Sequence, residues 1–167
     1  QSEIIETLTA EGFRKHEINN MLSQLDELDI IYYDKPHPVK FIEPKTMDIW
    51  LHLTNQCNLR CKYCYISHTA EIMPWHVIEE GLEKSFYSGK KNGFDEIVLK
   101  FAGGEPSLRK DTIFKTSRYA KKLAEKHYIK LDLVLITNGT LLTDEFVKKL
   151  KRYKIHVAIS LDGLQQE

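Results

Sequence analysis

The chain has 167 residues, 42% of them apolar, and its 24 lysines and arginines are balanced by 24 aspartates and glutamates. That is enough apolar material for a buried core, while zero formal net charge without a dominant basic stripe argues against a nucleic-acid partner held by charge. No apolar run reaches the roughly 18 residues that cross a bilayer, and Gln1-Ser2-Glu3 opens neither a basic nor an apolar signal region, so no membrane partner and a cytoplasmic location are expected.

Residues 1–34 read as a unit of their own. Ile4, Ile5 and Leu8 recur at helical spacing, and Gly12 suits a helix stop. A second helix from about Lys15 to Asp29 places Ile18, Met21, Leu22, Leu25 and Leu28 on one stripe, and a short strand is predicted over Ile30-Ile31-Tyr32-Tyr33. Two amphipathic helices feeding a strand are similar to the last part of PqqD-like peptide-recognition domains, a winged-helix-like fold. The resemblance implies leader-peptide capture by strand addition at a sheet edge. A plain helical lead-in that packs on the following domain accounts for the same pattern. Pro36, Pro38 and Pro44 then mark a linker over residues 35–46, because proline removes a backbone donor and biases its predecessor towards extended conformations.

From residue 47 onward, strands and helices alternate. Ile49 to Leu53 reads as the first strand, and a helix follows from about Pro74, at a first helical position, to Ser88. Glu96 to Phe101 is the second strand, Lys110 to about Lys126 a helix, and Leu131 to Ile136 the third strand. Thr143 can cap a helix through Leu150, and Ile155 to Ile159 is the fourth strand. Such alternation predicts an α/β fold with right-handed crossovers and a parallel sheet. His52, inside an apolar strand, is expected to pack in or near the core. Paired lysines such as Lys121-Lys122 and Lys148-Lys149 fit solvated helix faces.

Chemically distinctive residues follow every strand. The three cysteines of the chain, Cys57, Cys61 and Cys64, lie in the run Cys-Asn-Leu-Arg-Cys-Lys-Tyr-Cys-Tyr after the first strand. Gly103-Gly104-Glu105-Pro106 follows the second, Thr137-Asn138-Gly139 the third and Ser160-Leu161-Asp162-Gly163 the fourth. In parallel barrels this C-terminal rim is where ligands bind, so four segments converge on one mouth. Three thiolates at such close spacing can hold three corners of an iron–sulfur cluster and leave one iron open. A structural zinc site would need a fourth ligand, which His52 or His68 could supply, but such sites usually pair two cysteines with a second, distant pair, and none exists here. A disulfide leaves one thiol over.

The three-then-two cysteine spacing with an aromatic before the last cysteine resembles the signature of radical S-adenosylmethionine (SAM) enzymes. Together with the other three rim motifs it looks most like their SPASM-type branch of peptide and protein maturases, over residues 48 to 164. The resemblance implies a partial parallel (β/α) barrel, about four of the six βα units, and a 4Fe-4S cluster on Cys57, Cys61 and Cys64. SAM would chelate the open iron, and one electron from an external reductant of the flavodoxin or ferredoxin type would split it to a 5′-deoxyadenosyl radical. It further implies that Tyr63 lies against adenine, that Gly103, Gly104 and Glu105 meet the amino group of SAM with the Glu105 carboxylate as acceptor, and that Ser160 reaches the ribose; Asn138 would shape the same rim. The glycines would let backbone approach the ligand where a Cβ would fill the space. That branch carries a downstream cysteine-rich domain, yet no cysteine follows Cys64. The chain therefore reads as a fragment. The function expected is hydrogen abstraction from a residue of a peptide or protein substrate. Formylglycine-forming sulfatase maturation is an alternative, and a non-catalytic binding module is an alternative of another class.

Overall fold

The computed structural model describes residues 2–28, 30–31 and 44–161. The chain divides into two compact units, Gln1–Glu43 and Pro44–Glu167. The first holds helices α1 (Ser2–Ala10) and α2 (Lys15–Glu27). Gly12, at φ +99°, turns the chain out of α1 in a conformation that costs glycine no steric strain. On α2, Ile18 and Leu22 are buried whereas Met21 and Leu28 are exposed, so the apolar stripe is covered only along its centre. Ile30 and Ile31 form no strand. The rest of that expected strand, Tyr32-Tyr33, and Pro36 and Pro38 of the expected linker lie outside the described residues, as do Asp162 and Gly163.

The second unit is a four-stranded, wholly parallel sheet in the order β1 (Thr46–His52), β2 (Glu96–Ala102), β3 (Lys130–Thr137), β4 (Ile155–Ile159). Between successive strands run α3 (Trp75–Lys91), α4 (Lys110–His127) and α5 (Asp144–Arg152), with a short 3-10 turn, Pro106–Arg109, leading into α4. This is the sheet of a partial β/α barrel. Pro74 stands just before α3 in extended backbone (φ −65°, ψ 150°), so the helix begins one residue later than expected. Thr143 caps α5 by accepting the Phe146 N–H on its hydroxyl at 3.3 Å.

One face of the sheet is packed and the other open. On β2, Ile97, Leu99 and Phe101 are completely buried while the residues between them are not. With Leu51, Leu53, Leu133, Leu135 and Ile155 they meet Ile78, Leu82 and Phe86 of α3, Ile113, Phe114 and Leu123 of α4, and Phe146 and Leu150 of α5 in one core. Burying each such side chain contributes roughly 1.5–3 kcal/mol relative to exposure. Parallel sheets ordinarily cover both faces and read as continuous apolar runs; here the alternation marks the opposite face as a barrel interior. There Trp50 pairs in register with Lys100, Lys100 with Val134, and Val134 with His156. The Lys100 ammonium lies 3.0 Å from Asp48 and 5.1 Å from the Trp50 ring centre.

Candidate active site

The C-terminal ends of the strands open onto a cavity of about 780 Å³. Its walls bring together Cys57, Cys61, Cys64 and Tyr63 from the loop after β1, Gly103 and Gly104 after β2, Asn138 after β3 and Ser160 after β4. The volume lies within the roughly 300–1,000 Å³ typical of small-molecule sites.

The cysteine loop is closed at its root like a noose. The Met73 N–H donates to the Leu53 carbonyl (2.9 Å) and the Asn55 N–H to the Glu71 carbonyl (3.0 Å), around an antiparallel bridge between Thr54 and Ile72. All three thiols are free, Cys57 and Cys64 half-buried and Cys61 exposed. The Leu59 N–H points at the Cys57 sulfur from 3.4 Å and the Asn138 side-chain amide from 3.9 Å. N–H donors to cluster sulfurs tune a cluster's potential. Among the described residues no three His, Cys, Asp or Glu side chains converge on a point that a single ion would occupy.

Gly103 and Gly104 anchor that loop. A Cβ on Gly103 would stand 2.5 Å from the Thr54 carbonyl oxygen, and one on Gly104 2.3 Å from that of Gln56. The Gly104 N–H donates to Thr54 O at 2.8 Å and the Glu105 N–H to Gln56 O at 2.7 Å. The space a side chain would fill thus belongs to the cysteine loop, which corrects the expectation that a ligand requires these glycines. Gly103 also sits at φ +130°, a conformation that side-chain-bearing residues rarely adopt.

Glu105 differs from expectation as well. Its side chain is completely buried. One carboxylate oxygen accepts from the Ser107 N–H (2.8 Å) and the Thr137 hydroxyl (2.7 Å), the other from the Asn138 N–H (2.8 Å). A carboxylate so placed ties the β2 rim to the β3 rim and does not face the cavity as an acceptor for an ammonium group. Ser160 joins the same frame, its N–H donating to the Thr137 carbonyl at 2.9 Å. Asn138 donates to the Asn58 carbonyl oxygen of the side chain at 3.0 Å, and Asn58 donates to the Thr140 hydroxyl at 2.7 Å, so the cysteine loop and the β3 rim are laced together.

Trp50 and His52 of β1 also line the cavity, a placement that the sequence did not assign to them. His52 lies on the barrel-interior face beside the packed core: it is half-buried, lines the cavity, and shares a 2.8 Å hydrogen bond with Asn55. The signal was present in its neighbours, because Leu51 and Leu53 are both buried against the helices and strand parity turns the residue between them to the interior.

The family model described as the Radical SAM superfamily matches residues 51–167. The chain belongs to that superfamily. It is 32% identical over 149 residues to an S-adenosylmethionine-dependent nucleotide dehydratase of Lacinutrix mariniflava, covering 87% of this chain and 29% of the relative. It is 33% identical over 116 residues to a serine-type anaerobic sulfatase-maturating enzyme of Bacteroides thetaiotaomicron, covering 66% and 28%. Among solved structures, native anSMEcpe with bound AdoMet and Cp18Cys peptide superposes with a TM-score of 0.55 at 30% identity, over 72% of this chain and 32% of that one. This radical SAM chain thus spans about a third of the length of these relatives.

Membership implies a 4Fe-4S cluster and SAM, and the residues present fit both. Three unpaired thiols share one cavity wall, two N–H donors aim at one of the sulfurs, and the loop that carries them is pinned to the Gly-Gly-Glu turn. The remaining walls carry hydroxyl, amide and aromatic groups on Ser160, Asn138 and Tyr63, which suit a polar nucleoside.

Proposed function

We propose that this protein is a radical SAM enzyme that abstracts a hydrogen atom from a residue of a peptide or protein substrate. The observation that carries the reading is the convergence of all three cysteines with the Gly103-Gly104, Asn138 and Ser160 rims on one cavity. Cys57, Cys61 and Cys64 would hold the cluster, and Tyr63, Gly103, Gly104, Asn138 and Ser160 would hold SAM, with Glu105 fixing the frame from behind. When bound, the cluster and SAM together supply a 5′-deoxyadenosyl radical, the electron coming from a flavodoxin- or ferredoxin-type reductant. The protein's task is to position the cosubstrate and exclude competing reactions.

The peptide reading is supported by the peptide in the anSMEcpe structure and by the maturase among the relatives. A place in the SPASM-type branch and a PqqD-like role for residues 1–34 would fit with it, as would a cytoplasmic location; no described helix is long and apolar enough to cross a membrane. The same relatives favour sulfatase maturation as a second reading. The nucleotide dehydratase, at similar identity, makes a nucleotide the competing substrate class. The test is anaerobic reconstitution with iron and sulfide, followed by dithionite and SAM, with chromatography for 5′-deoxyadenosine. Its formation, increased by a peptide and not by nucleotides, is expected; no 5′-deoxyadenosine would defeat the assignment. Zinc uptake without the visible absorbance of a cluster would favour the binding-module alternative. A mass loss on a serine- or cysteine-containing sulfatase peptide would single out maturation.

A further inference from the structure

The Glu105 carboxylate is committed inside the rim, and several backbone carbonyls near the Gly-Gly turn already accept an N–H. The Thr54 carbonyl accepts from Gly104, that of Gln56 from Glu105, and that of Ala102 from Leu53. His52 is in a different position. Its Nε2 is bonded to Asn55 Oδ1, and the direction of that bond is fixed from farther along a chain of hydrogen bonds. The Glu71 side chain accepts on Oε2 both the Asn55 amide N–H at 2.7 Å and the Thr69 hydroxyl at 3.0 Å. The Thr69 oxygen in turn accepts the other Asn55 amide N–H at 3.0 Å. Both Asn55 amide hydrogens are thereby used, which fixes the amide so that its Oδ1, an acceptor only, faces His52, and Nε2 must donate.

The neutral imidazole consequently carries its proton on Nε2 and its lone pair on Nδ1. The Cδ2 edge of the ring lies against Gly103, where an added Cβ would come within 3.3 Å. His52 lines the cavity, and Nδ1 is the polar atom of its ring that Asn55 does not engage. Among the described residues no hydrogen bond reaches Nδ1.

The geometry points to His52 as a cosubstrate-positioning residue: Nδ1, presented as an acceptor by the Glu71–Thr69–Asn55 relay, receives an N–H or O–H donor of S-adenosylmethionine. The inference rests on the proposed function. SAM is rich in such donors, with an ammonium, two ribose hydroxyls and an adenine amine, and to reach an iron held by the three cysteines it must enter the cavity that His52 shares with them. The relay explains why Asn55, Thr69 and Glu71 are laced together at the root of the loop: they set a tautomer as well as closing the noose.

Two measurements test it. The first needs no cofactor. In the full chain labelled with 15N-histidine, long-range 1H–15N spectra distinguish the two neutral tautomers, and the signals missing from His52→Gln identify residue 52. The Nε2–H form is expected, and Glu71→Gln, whose amide can donate to Asn55 and let it turn over, is expected to raise the Nδ1–H population. A predominant Nδ1–H form in the unsubstituted chain would overturn the relay and the proposal with it.

The second is calorimetric titration of SAM into the anaerobically reconstituted chain at matched iron content. His52→Gln keeps a group near Nε2 but offers none at Nδ1, and is expected to bind SAM about tenfold or more weakly, as loss of a hydrogen bond to a charged or polar donor requires. His52→Asn places its Oδ1 where Nδ1 was and is expected to bind within about threefold of the unsubstituted protein, which a merely structural role for the ring would not produce. Equal affinity of the unsubstituted and His52→Gln chains would sink the proposal. Failure of the unsubstituted reconstituted chain to bind SAM at all would defeat the functional reading and the ligand assigned to Nδ1, whereas the tautomer spectrum still judges the relay separately.

Discussion

A methyl group on Gly104 would stand 2.3 Å from the Gln56 carbonyl oxygen, and the atoms it meets are backbone, not the end of a flexible side chain. Gly104→Ala is therefore expected to destabilise the second unit by about 1–3 kcal/mol, the usual cost of overpacking, and to lower iron retention because the displaced atoms belong to the cysteine loop; thermal melts and iron analysis read both. Glu105→Ala is expected to be worse. It would strand the Ser107 and Asn138 N–H groups in a buried site and leave the Thr137 hydroxyl only the Ser107 hydroxyl to donate to, and each unpaired donor costs roughly 1–3 kcal/mol. Glu105→Gln keeps one acceptor oxygen and should fall between the alanine variant and the unsubstituted protein. If Glu105→Ala melted normally and lost only SAM affinity, the carboxylate would be a ligand group after all and not the tie between two rims.

Helices α3 and α4 are joined outside the core by a small polar and aromatic contact. The Tyr119 hydroxyl donates to Glu83 at 2.7 Å, its ring meets Trp75 edge-on at 5.7 Å, and the Lys115 ammonium lies 3.6 Å from the Trp75 ring centre. The hydrogen bond to Glu83, then burial, then the charges of Glu83 and Glu79 push the Tyr119 phenol up to about 12 from its ordinary 10. A folded-state pKa above the unfolded one means that the native protein holds this proton more tightly. The stabilisation is whole below pH 10 and is lost as pH rises through 12. Urea unfolding of Tyr119→Phe should accordingly show a flatter loss of stability in that window than the unsubstituted chain. Parallel curves would show that the contact makes no difference to folding.

The sheet as a whole ends on β4, which pairs with β3 and, among the described residues, with no other strand. Val157 and Ile159 on it are 39% and 59% exposed. A parallel strand with free backbone groups and exposed β-branched residues is a template for pairing with another chain. The 167-residue chain is thus expected to associate as concentration rises, and Ile159→Lys, which places a charge on that edge, to shift it towards monomer in light scattering after size exclusion. A chain that stays monomeric throughout the accessible range would show the edge to be protected.

Much of this molecule was legible in order of residues alone. Four strands and the helices between them follow from runs of apolar residues at periods of two and 3.6, which local burial enforces wherever a core exists, and Ile155–Ile159 falls where that pattern puts it. The cysteine spacing likewise announces its chemistry, since ligands within a stretch of eight residues need no long-range partner to be neighbours. What could not be read is whom each rim residue faces. Glu105 turns inward because donors 32 and 33 residues later, on Thr137 and Asn138, are brought to it by the β2–β3 pairing. Gly103 and Gly104 are glycines because the loop some fifty residues earlier folds back on them. The proton on His52 is placed by Glu71, which reaches Asn55 only once the noose has closed. Periodicity is a property of neighbours along the chain, whereas the direction of a hydrogen bond belongs to whichever groups folding has set side by side.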